Sequence, residues 1–550
     1  MNLKLLAWQL GLVSLLIGGS MGASLPWALP QLGETKTLEV GGLLGLLASM
    51  LVCGVCGGGL MYVGREARHQ TLFRKEAMAV VGLSWILATV LGALPFWFSG
   101  TFDAFSMYRP PDALPLTFTG KVNNFLQAMG DGVFESQSGF STTGATVISR
   151  LDDVPRSILF WRSSTHFLGG LGIIVLFVAI LGQGSAGKAL MRAEMPGPSK
   201  DTAQHRVQHA ALVFATLYIV LNLVLTGLLV LEGMSWFDAL CHAFGTLATG
   251  GFSTYDDSLG HFARDPNSLH GWFENQQLNG AIVEMTVLVF MVLAGMNFSL
   301  LYLLMTGRFK QVLADVELRV YLGVLLLMTC LVVAFGHFTY DDFKDADGKQ
   351  LMQAVRFGSF QVVSIMTTTG FGTHDFDQWN SFGRGVLFLL MFVGGCAGST
   401  GGGLKVIRHV LFLKILWLEV ERMYRPNLVR PLWLGGKPIE DRDLSRNILV
   451  YFGIVLVIFI FSWLALVTFE PDHTWAQKGH PVENKLIDSA TAVSATLNNI
   501  GPGLGTIGAT QNYGHFSWPS KFLFAILMML GRLEVFVIVV LFVPGFWRNH

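Results

Sequence analysis

The sequence predicts an all-α polytopic membrane protein: four diverged units of span, pore helix and span surround one axis, preceded by two extra transmembrane helices. Three observations predict it. The 550 residues are 52% hydrophobic and only 13% charged, too apolar for a soluble chain of this length. Repeated apolar runs reach the roughly 20 residues that a helix needs to cross a bilayer core. After the third, fifth, seventh and ninth runs comes a shorter apolar segment, too short to cross, that ends in a glycine motif. The formal net charge is zero, which leaves no electrostatic case for binding nucleic acid.

Ten spans are expected, near 4–30, 40–63, 76–99, 156–183, 210–232, 280–306, 318–338, 383–417, 447–469 and 520–546. The first, within MNLKLLAWQLGLVSLLIGG, has the look of a signal peptide but lacks a small-residue cleavage site, so it reads as a retained span. The second carries Cys53 and Cys56 as a CxxC inside LLASMLVCGVCGGGLMYV. A metal or redox site would want polar flanks, and these two read as packed free thiols. Lys and Arg gather in alternate joints: Arg65, Arg68, Arg74 and Lys75; Lys188, Arg192, Lys200 and Arg206; Arg308, Lys310 and Arg319; and Arg422 through Arg446. By the positive-inside rule these joints and both termini are cytoplasmic. The opposite loops lean acidic, with Asp256 and Asp257, Asp341 to Asp347, and Glu470 and Asp472. They read as ordinary solvated loops or as a surface that concentrates cations. The expected division is 1–70 for the two N-terminal helices, 71–190, 191–310 and 311–425 for the first three units, and 426–550 for the fourth.

The four short segments read NNFLQAMGDGVFESQSGFSTTGATV, WFDALCHAFGTLATGGFSTYD, AVRFGSFQVVSIMTTTGFGTHDFD and LIDSATAVSATLNNIGPGLGTIG. Their spacing is too long and uneven for a solenoid and suits four copies of one membrane unit. Set at their glycines, the cores are Thr142-Thr143-Gly144, Ala248-Thr249-Gly250, Thr368-Thr369-Gly370 and Asn499-Ile500-Gly501. Irregular backbone at membrane depth survives only when buried in protein or lining a wet cavity. Glycine there permits positive φ, so successive carbonyls can aim one way, and rings of carbonyls replace the water around a cation. Each half-helix would also point its negative C-terminal end at the cavity.

FESQSGFSTTGATV, IMTTTGFGT, GGCAGSTGGGLKVIR and LNNIGPGLG followed by MMLGRLEVF resemble the signatures of the Trk/Ktr/HKT superfamily of potassium transporters, most of all its bacterial TrkH branch, which also carries two extra spans. The resemblance covers nearly the whole chain. It implies a single-chain potassium pore in the cell (inner) membrane, assembled as a homodimer and regulated by a cytosolic, nucleotide-binding RCK-type (TrkA-like) subunit. Potassium is then the substrate, the chain holds no cofactor of its own, and nucleotide acts only through the partner. The ion path would be lined by backbone at Thr142, Thr143, Ala248, Thr249, Thr368, Thr369, Asn499 and Ile500, with Gly144, Gly250, Gly370 and Gly501 beside it. Sodium-preferring plant relatives tend to carry serine at the first glycine, and this chain keeps Gly144.

The eighth span is interrupted by Gly394, Gly395, Cys396, Ala397, Gly398, Ser399, Thr400, Gly401, Gly402 and Gly403, followed by Lys405. So much glycine does not hold a plain helix. A seam for close helix packing needs only two small residues, so a polar loop under the motifs is preferred. The resemblance makes it an intramembrane gate. Arg532, in the last span, marks a pathway or a partner; the residues leave open a pair with an acid elsewhere, and the resemblance turns it toward the pore. Glu284 and Asn297 read as helix–helix hydrogen bonders. Glu135 could brace the motif, Asp375 could tune cation entry, and either could be structural. His166 and His242 read as satisfied core histidines. No HExxH, GxSxG, Walker A or zinc spacing is present, so no enzyme is expected. A sodium-permeable or sodium/proton-coupled carrier on the same scaffold stays open, and an intramembrane enzyme is disfavoured for want of paired catalytic groups.

Overall fold

The structure is a computed structural model that describes residues 1–33, 37–68, 70, 73–102, 118–172, 204–264, 279–339, 350–425, 432–434, 437–439, 442–477, 479 and 481–548. Residues 173–183 of the fourth expected span, the joint at Lys188, Arg192 and Lys200, and the acids between 341 and 347 lie outside the described residues.

Helices α1 (Leu3–Met21) and α2 (Val40–Gly64) form the N-terminal pair. Asn2 caps α1 by accepting the Leu5 N–H, as expected of a short polar residue at that position. Glycines let the two backbones approach closely: a Cβ on Gly18 would lie 2.7 Å from Cys53 Cβ, and one on Gly64 only 2.5 Å from backbone atoms of Lys4 and Trp8. Cys53 is thus buried in a helix seam, and Cys56 is an exposed free thiol.

Four half-helices follow, each ending inside the protein between two outer helices. Unit 1 holds α3 (Arg74–Phe98), α4 (Phe118–Phe140) and α5 (Arg156–Leu171). Unit 2 holds α6 (Gln204–Leu231), α7 (Trp236–Leu247) and α8 (Gly280–Ala294). After α9 (Phe298–Met305) and α10 (Phe309–Ala314), unit 3 holds α11 (Val316–Phe338), α12 (Gln350–Met366), α13 (Ser381–Leu390) and α14 (Val406–Tyr424). Unit 4 holds α15 (Arg442–Phe469), α16 (Lys485–Leu497) and α17 (Trp518–Arg532). The half-helices α4, α7, α12 and α16 sit inside; α16 is buried at every residue from Asp488 to Leu497. The long helices turn Leu223, Leu326, Leu456 and Phe461 outward, as a lipid-facing surface requires. Among the described residues six helices are long and apolar enough to cross a membrane, or seven if one bent pair counts as a span.

The structure departs from the sequence reading at several points. The sixth span bends by 110° between Ala294 and Phe298. Asn297 is not a helix–helix bonder there: it caps α9 by accepting the Ser299 N–H at 2.7 Å. Glu284, by contrast, is the helix–helix hydrogen bonder expected: it pairs with Arg356 of α12 at 2.6 Å. The tenth span is interrupted at Leu533 and resumes as a short helix, Glu534–Val539, so Arg532 sits at a helix end rather than inside one. The all-α fold also carries one small antiparallel hairpin, β1 (Leu432–Leu434) against β2 (Lys437–Ile439), with Leu432 opposite Ile439.

Candidate functional site

Each half-helix stops for the same local reason. At the end of α4 the Thr142 N–H turns back to Gly139 O and the Thr143 N–H to Ser138 O. The same two bonds, three and five residues back, recur at Thr249 and Gly250, at Thr368 and Thr369, and at Asn499 and Ile500. The first residue of each pair is left-handed, with φ of 53° at Thr142, 53° at Thr249, 60° at Thr368 and 54° at Asn499. Two residues on, a glycine is left-handed again: 79° at Gly144, 71° at Gly251, 81° at Gly370 and 100° at Gly501. A non-glycine residue in this region is strained by roughly 1–3 kcal/mol, and such strain collects at functional sites.

This backbone corrects the register of the second unit by one residue. The equivalent core is Thr249-Gly250-Gly251. Ala248, at φ −75°, closes the helix instead of joining the set, and Gly250 takes the place of a threonine. Two adjoining glycines leave the alignment ambiguous in the sequence; only the position of the positive φ settles it.

The four loops meet in a closed ring. A Cβ on Gly144 would lie 1.9 Å from Gly250 O, one on Gly251 2.0 Å from Thr369 O, one on Gly370 2.0 Å from Ile500 O, and one on Gly501 2.7 Å from Thr143 O. Each glycine therefore backs onto a carbonyl of the next unit, and the fourth returns to the first. A side chain at any of the four would push a neighbour's carbonyl, which is why glycine stands there. Gly144, Gly251, Gly370 and Gly501 also line one cavity of about 100 Å³ on the side of the ring away from the C-terminal ends of the half-helices.

Around the ring lies a set of braces that differ from unit to unit. Seven residues before the left-handed Thr142, Glu135 accepts from Thr146 Oγ1 (2.9 Å) and the Val147 N–H (2.9 Å) just past the motif. It is paired with buried Arg162 at 2.6 Å. Arg162 in turn donates to Ser253 O of the second unit (2.8 Å) and lies over Phe252. His242 holds the same place in α7: its Nε2 is 2.9 Å from Ser253 Oγ. His166 donates from Nδ1 to Gly139 O at 2.8 Å and accepts the Phe252 N–H at Nε2. Both histidines are thus satisfied core groups; His166 ties the first unit to the second loop, and His242 ties α7 to the loop that follows it. Hydroxyl pairs back the first and third loops, Ser141 with Thr143 (2.7 Å) and Thr367 with Thr369 (2.8 Å). Asn499 Nδ2 reaches Thr143 Oγ1 at 2.9 Å. Tyr513 is buried and donates to Gly501 O at 2.8 Å. Sequence reasoning missed Arg162 and Tyr513. An Arg in the middle of the expected fourth span, after the apolar residues ILFW, was the available signal for the first.

Asp375 has the structural role left open for it: it caps the turn Phe376–Gln378, accepting the Asp377 N–H at 3.2 Å and bonding Gln378. Asp377, in that same outer turn, accepts the Gly505 N–H at 2.9 Å. Burial pushes its carboxyl up to about 6, with Asp375 and Asp488 adding to the rise.

Beneath the ring a second cavity, of about 130 Å³, is lined by Gly398 to Gly403, Lys405 and Arg532. The break between α13 and α14 is a folded loop with left-handed Gly398 and Gly403. It touches the base of the ring, since the Gly402 N–H donates to Thr368 Oγ1 at 2.8 Å. Gly401 packs against Thr367 O, and Gly402 against Asn499. Arg532 donates to Thr400 O (2.6 Å) and to Gly169 O (2.7 Å), tying the loop to the end of α5. The Lys405 ammonium donates to Gly401 O across the loop. Gly394 and Gly395 hold its outer edges: the Gly394 N–H bonds Leu404 O and the Val406 N–H bonds Gly395 O. Cys396 and Ala397 are buried.

Comparison with known proteins agrees with this architecture. A family model described as "TrkH: Cation transport protein" matches residues 112–548. The chain is 35% identical over 497 residues to the Trk system potassium uptake protein TrkH of Escherichia coli K12, covering 90% of each. It is 31% identical over 498 residues to the Trk system potassium uptake protein TrkG of the same organism, covering 90% of this chain and 89% of that one. The crystal structure of the potassium transporter TrkH from Vibrio parahaemolyticus superposes with a TM-score of 0.76 over 100% of both chains, at 28% identity.

Proposed function

The chain belongs to the TrkH family of cation transport proteins, and on that premise we propose that it takes up potassium through the ring of four loops. It is a membrane transporter and not an enzyme. Ions enter from the outer cavity and exchange water for carbonyls at Thr143, Gly250, Thr369 and Ile500, with Thr142, Thr249, Thr368 and Asn499 beneath. The ends of α4, α7, α12 and α16 supply partial negative charge toward the same axis. The loop at 394–403 is the gate, and Arg532 and Lys405 place positive charge at its inner face, which opposes a resting cation. The chain works as a homodimer in the cell inner membrane with both termini cytoplasmic, and a cytosolic RCK-type subunit brings nucleotide control.

One observation carries this reading: each of the four glycines backs onto a carbonyl of the next unit, so the carbonyls form one closed layer. Side chains there differ freely, as a backbone filter allows. The test is rubidium uptake into proteoliposomes containing this chain, with and without its cytosolic subunit, challenged by external potassium, sodium or caesium. Block by potassium but little by sodium supports the reading. Equal block by sodium replaces it with a sodium-permeable pathway, and no uptake even with the subunit present rejects it.

A further inference from the structure

We propose that Glu317 is the positioning residue that clamps both ends of the 394–403 loop and so holds the pathway shut until the cytoplasmic joint beside it moves. The inference rests on the reading of that loop as a gate.

Glu317 lies in the first turn of α11, two residues after Asp315, whose side chain caps the helix by accepting the Leu318 N–H at 2.8 Å. It is buried. A single oxygen, Oε1, accepts the Ala397 N–H at 2.7 Å and the Ile407 N–H at 3.0 Å. Ala397 is where the chain enters the turn under the ring; Ile407 is in the first turn of α14, just after it leaves. One carboxylate thus bridges the two ends of the loop, and charge-assisted bonds to backbone N–H groups are the strong kind. The middle of the loop is held from the pore side, by Arg532 at Thr400 and by Thr368 at Gly402.

The clamp sits where movement can reach it. The Cys396 N–H bonds Gly295 O, and the Phe298 N–H bonds Gly398 O, so the loop entrance is also joined to the bend between α8 and α9. From that bend the chain runs through α9 and α10 straight into α11. Helix α10 exposes Phe309 and Leu313 on this basic, cytoplasm-facing joint. Displacing α10 moves the bend and Glu317 together, and with them both ends of the loop.

The experiment compares E317A, E317Q and wild type in proteoliposomes lacking the cytosolic subunit. The readouts are basal rubidium uptake, the ratio of potassium to sodium block, and the melting temperature of the purified protein. E317A is expected to raise basal uptake roughly tenfold, the scale of losing bonds to a charged acceptor, with the block ratio unchanged. E317Q keeps an acceptor oxygen but loses the charge, and is expected to fall between wild type and E317A. I407P removes one of the two donors from the first turn of α14, where a proline breaks no helical hydrogen bond, and is expected to raise uptake as E317A does. Basal uptake unchanged in both E317A and I407P, at wild-type melting temperatures, overturns the clamp. A wild type whose rubidium uptake is indifferent to potassium would instead overturn the potassium reading and leave the clamp to be judged on uptake rate alone.

Discussion

Replacing Gly251 by alanine tests the ring and its register together. Gly251 has φ of 71°, where an L-residue costs about 1–2 kcal/mol. The new methyl would lie 2.0 Å from Thr369 O. Real Cβ contacts essentially never fall under 3.0 Å, so the carbonyl of the next unit must retreat by about 1 Å, twice the roughly 0.5 Å that a preorganised site tolerates. The expected result is a loss of discrimination between potassium and sodium of at least about tenfold, with the protein still folded, because 1–2 kcal/mol is a small part of a domain's stability. The assay is rubidium uptake competed by each ion. Gly250→Ala is the control. Its Cβ would strike the His166 ring at 2.6 Å, not a neighbouring carbonyl, so it is expected to lower the melting temperature first. Gly501→Ala should disturb the ring least, since its Cβ meets Thr143 O at 2.7 Å. If Gly250→Ala abolished selectivity at a normal melting temperature while Gly251→Ala kept it, the register argued from φ would be wrong.

Three further outcomes are expected. Glu135→Ala leaves Arg162 buried without its 2.6 Å partner, and should destabilise the protein by about 3–5 kcal/mol, visible as a lower melting temperature in detergent; a shift within error would show the pair to be dispensable. Tyr513→Phe frees Gly501 O from its 2.8 Å bond, a loss of about 1 kcal/mol, and should weaken potassium-over-sodium block a few-fold; an unchanged ratio would refute a role for Tyr513 in shaping the outer layer. Because the folded Asp377 carboxyl is raised to about 6 from 3.8, the fold favours its protonated form, and this contribution is present below pH 3.8 and lost as pH rises through 6. Asp377→Asn keeps an acceptor for the Gly505 N–H, so it should melt above wild type at pH 7 and match it near pH 4; parallel melting curves across that range would rule out the shift.

The spans and the glycine motifs were legible because they rest on local properties, apolar length and the need for positive φ. The bend at residues 295–297 was not. The run from Gly280 to Met305 is apolar enough to read as one span, and the turn is held largely by distant partners: Asn297 caps the second half, and Gly295 O and the Phe298 N–H bond the loop at residues 396–398. Asp375 was legible in part: its place just past a motif left a structural role open beside an electrostatic one, and the donor two residues on makes it a turn cap. Arg532 kept its expected position beneath the ring, yet its bonds at Thr400 and Gly169 go to carbonyls, which no side-chain pattern announces.

The freedom of sequence at the four motifs follows from this division of labour. The ring uses backbone, so Thr143, Gly250, Thr369 and Ile500 can all present a carbonyl, and the demand common to the four units is that a glycine follow each of them. What must be specified lies one layer out, where the fold has solved the same problem differently in each unit. A carboxylate paired with arginine braces the loop after α4, and a histidine does so after α7. Hydroxyl pairs back the first and third loops, while Asn499 spans from the fourth to the first. Such braces reach across many residues of sequence, so they leave no periodic trace in it. A substitution at a brace is therefore expected to act through the position of a carbonyl, and to be read as altered selectivity or stability, while a substitution at a non-glycine ring position such as Ile500→Val leaves the backbone in place and should be nearly silent in rubidium competition.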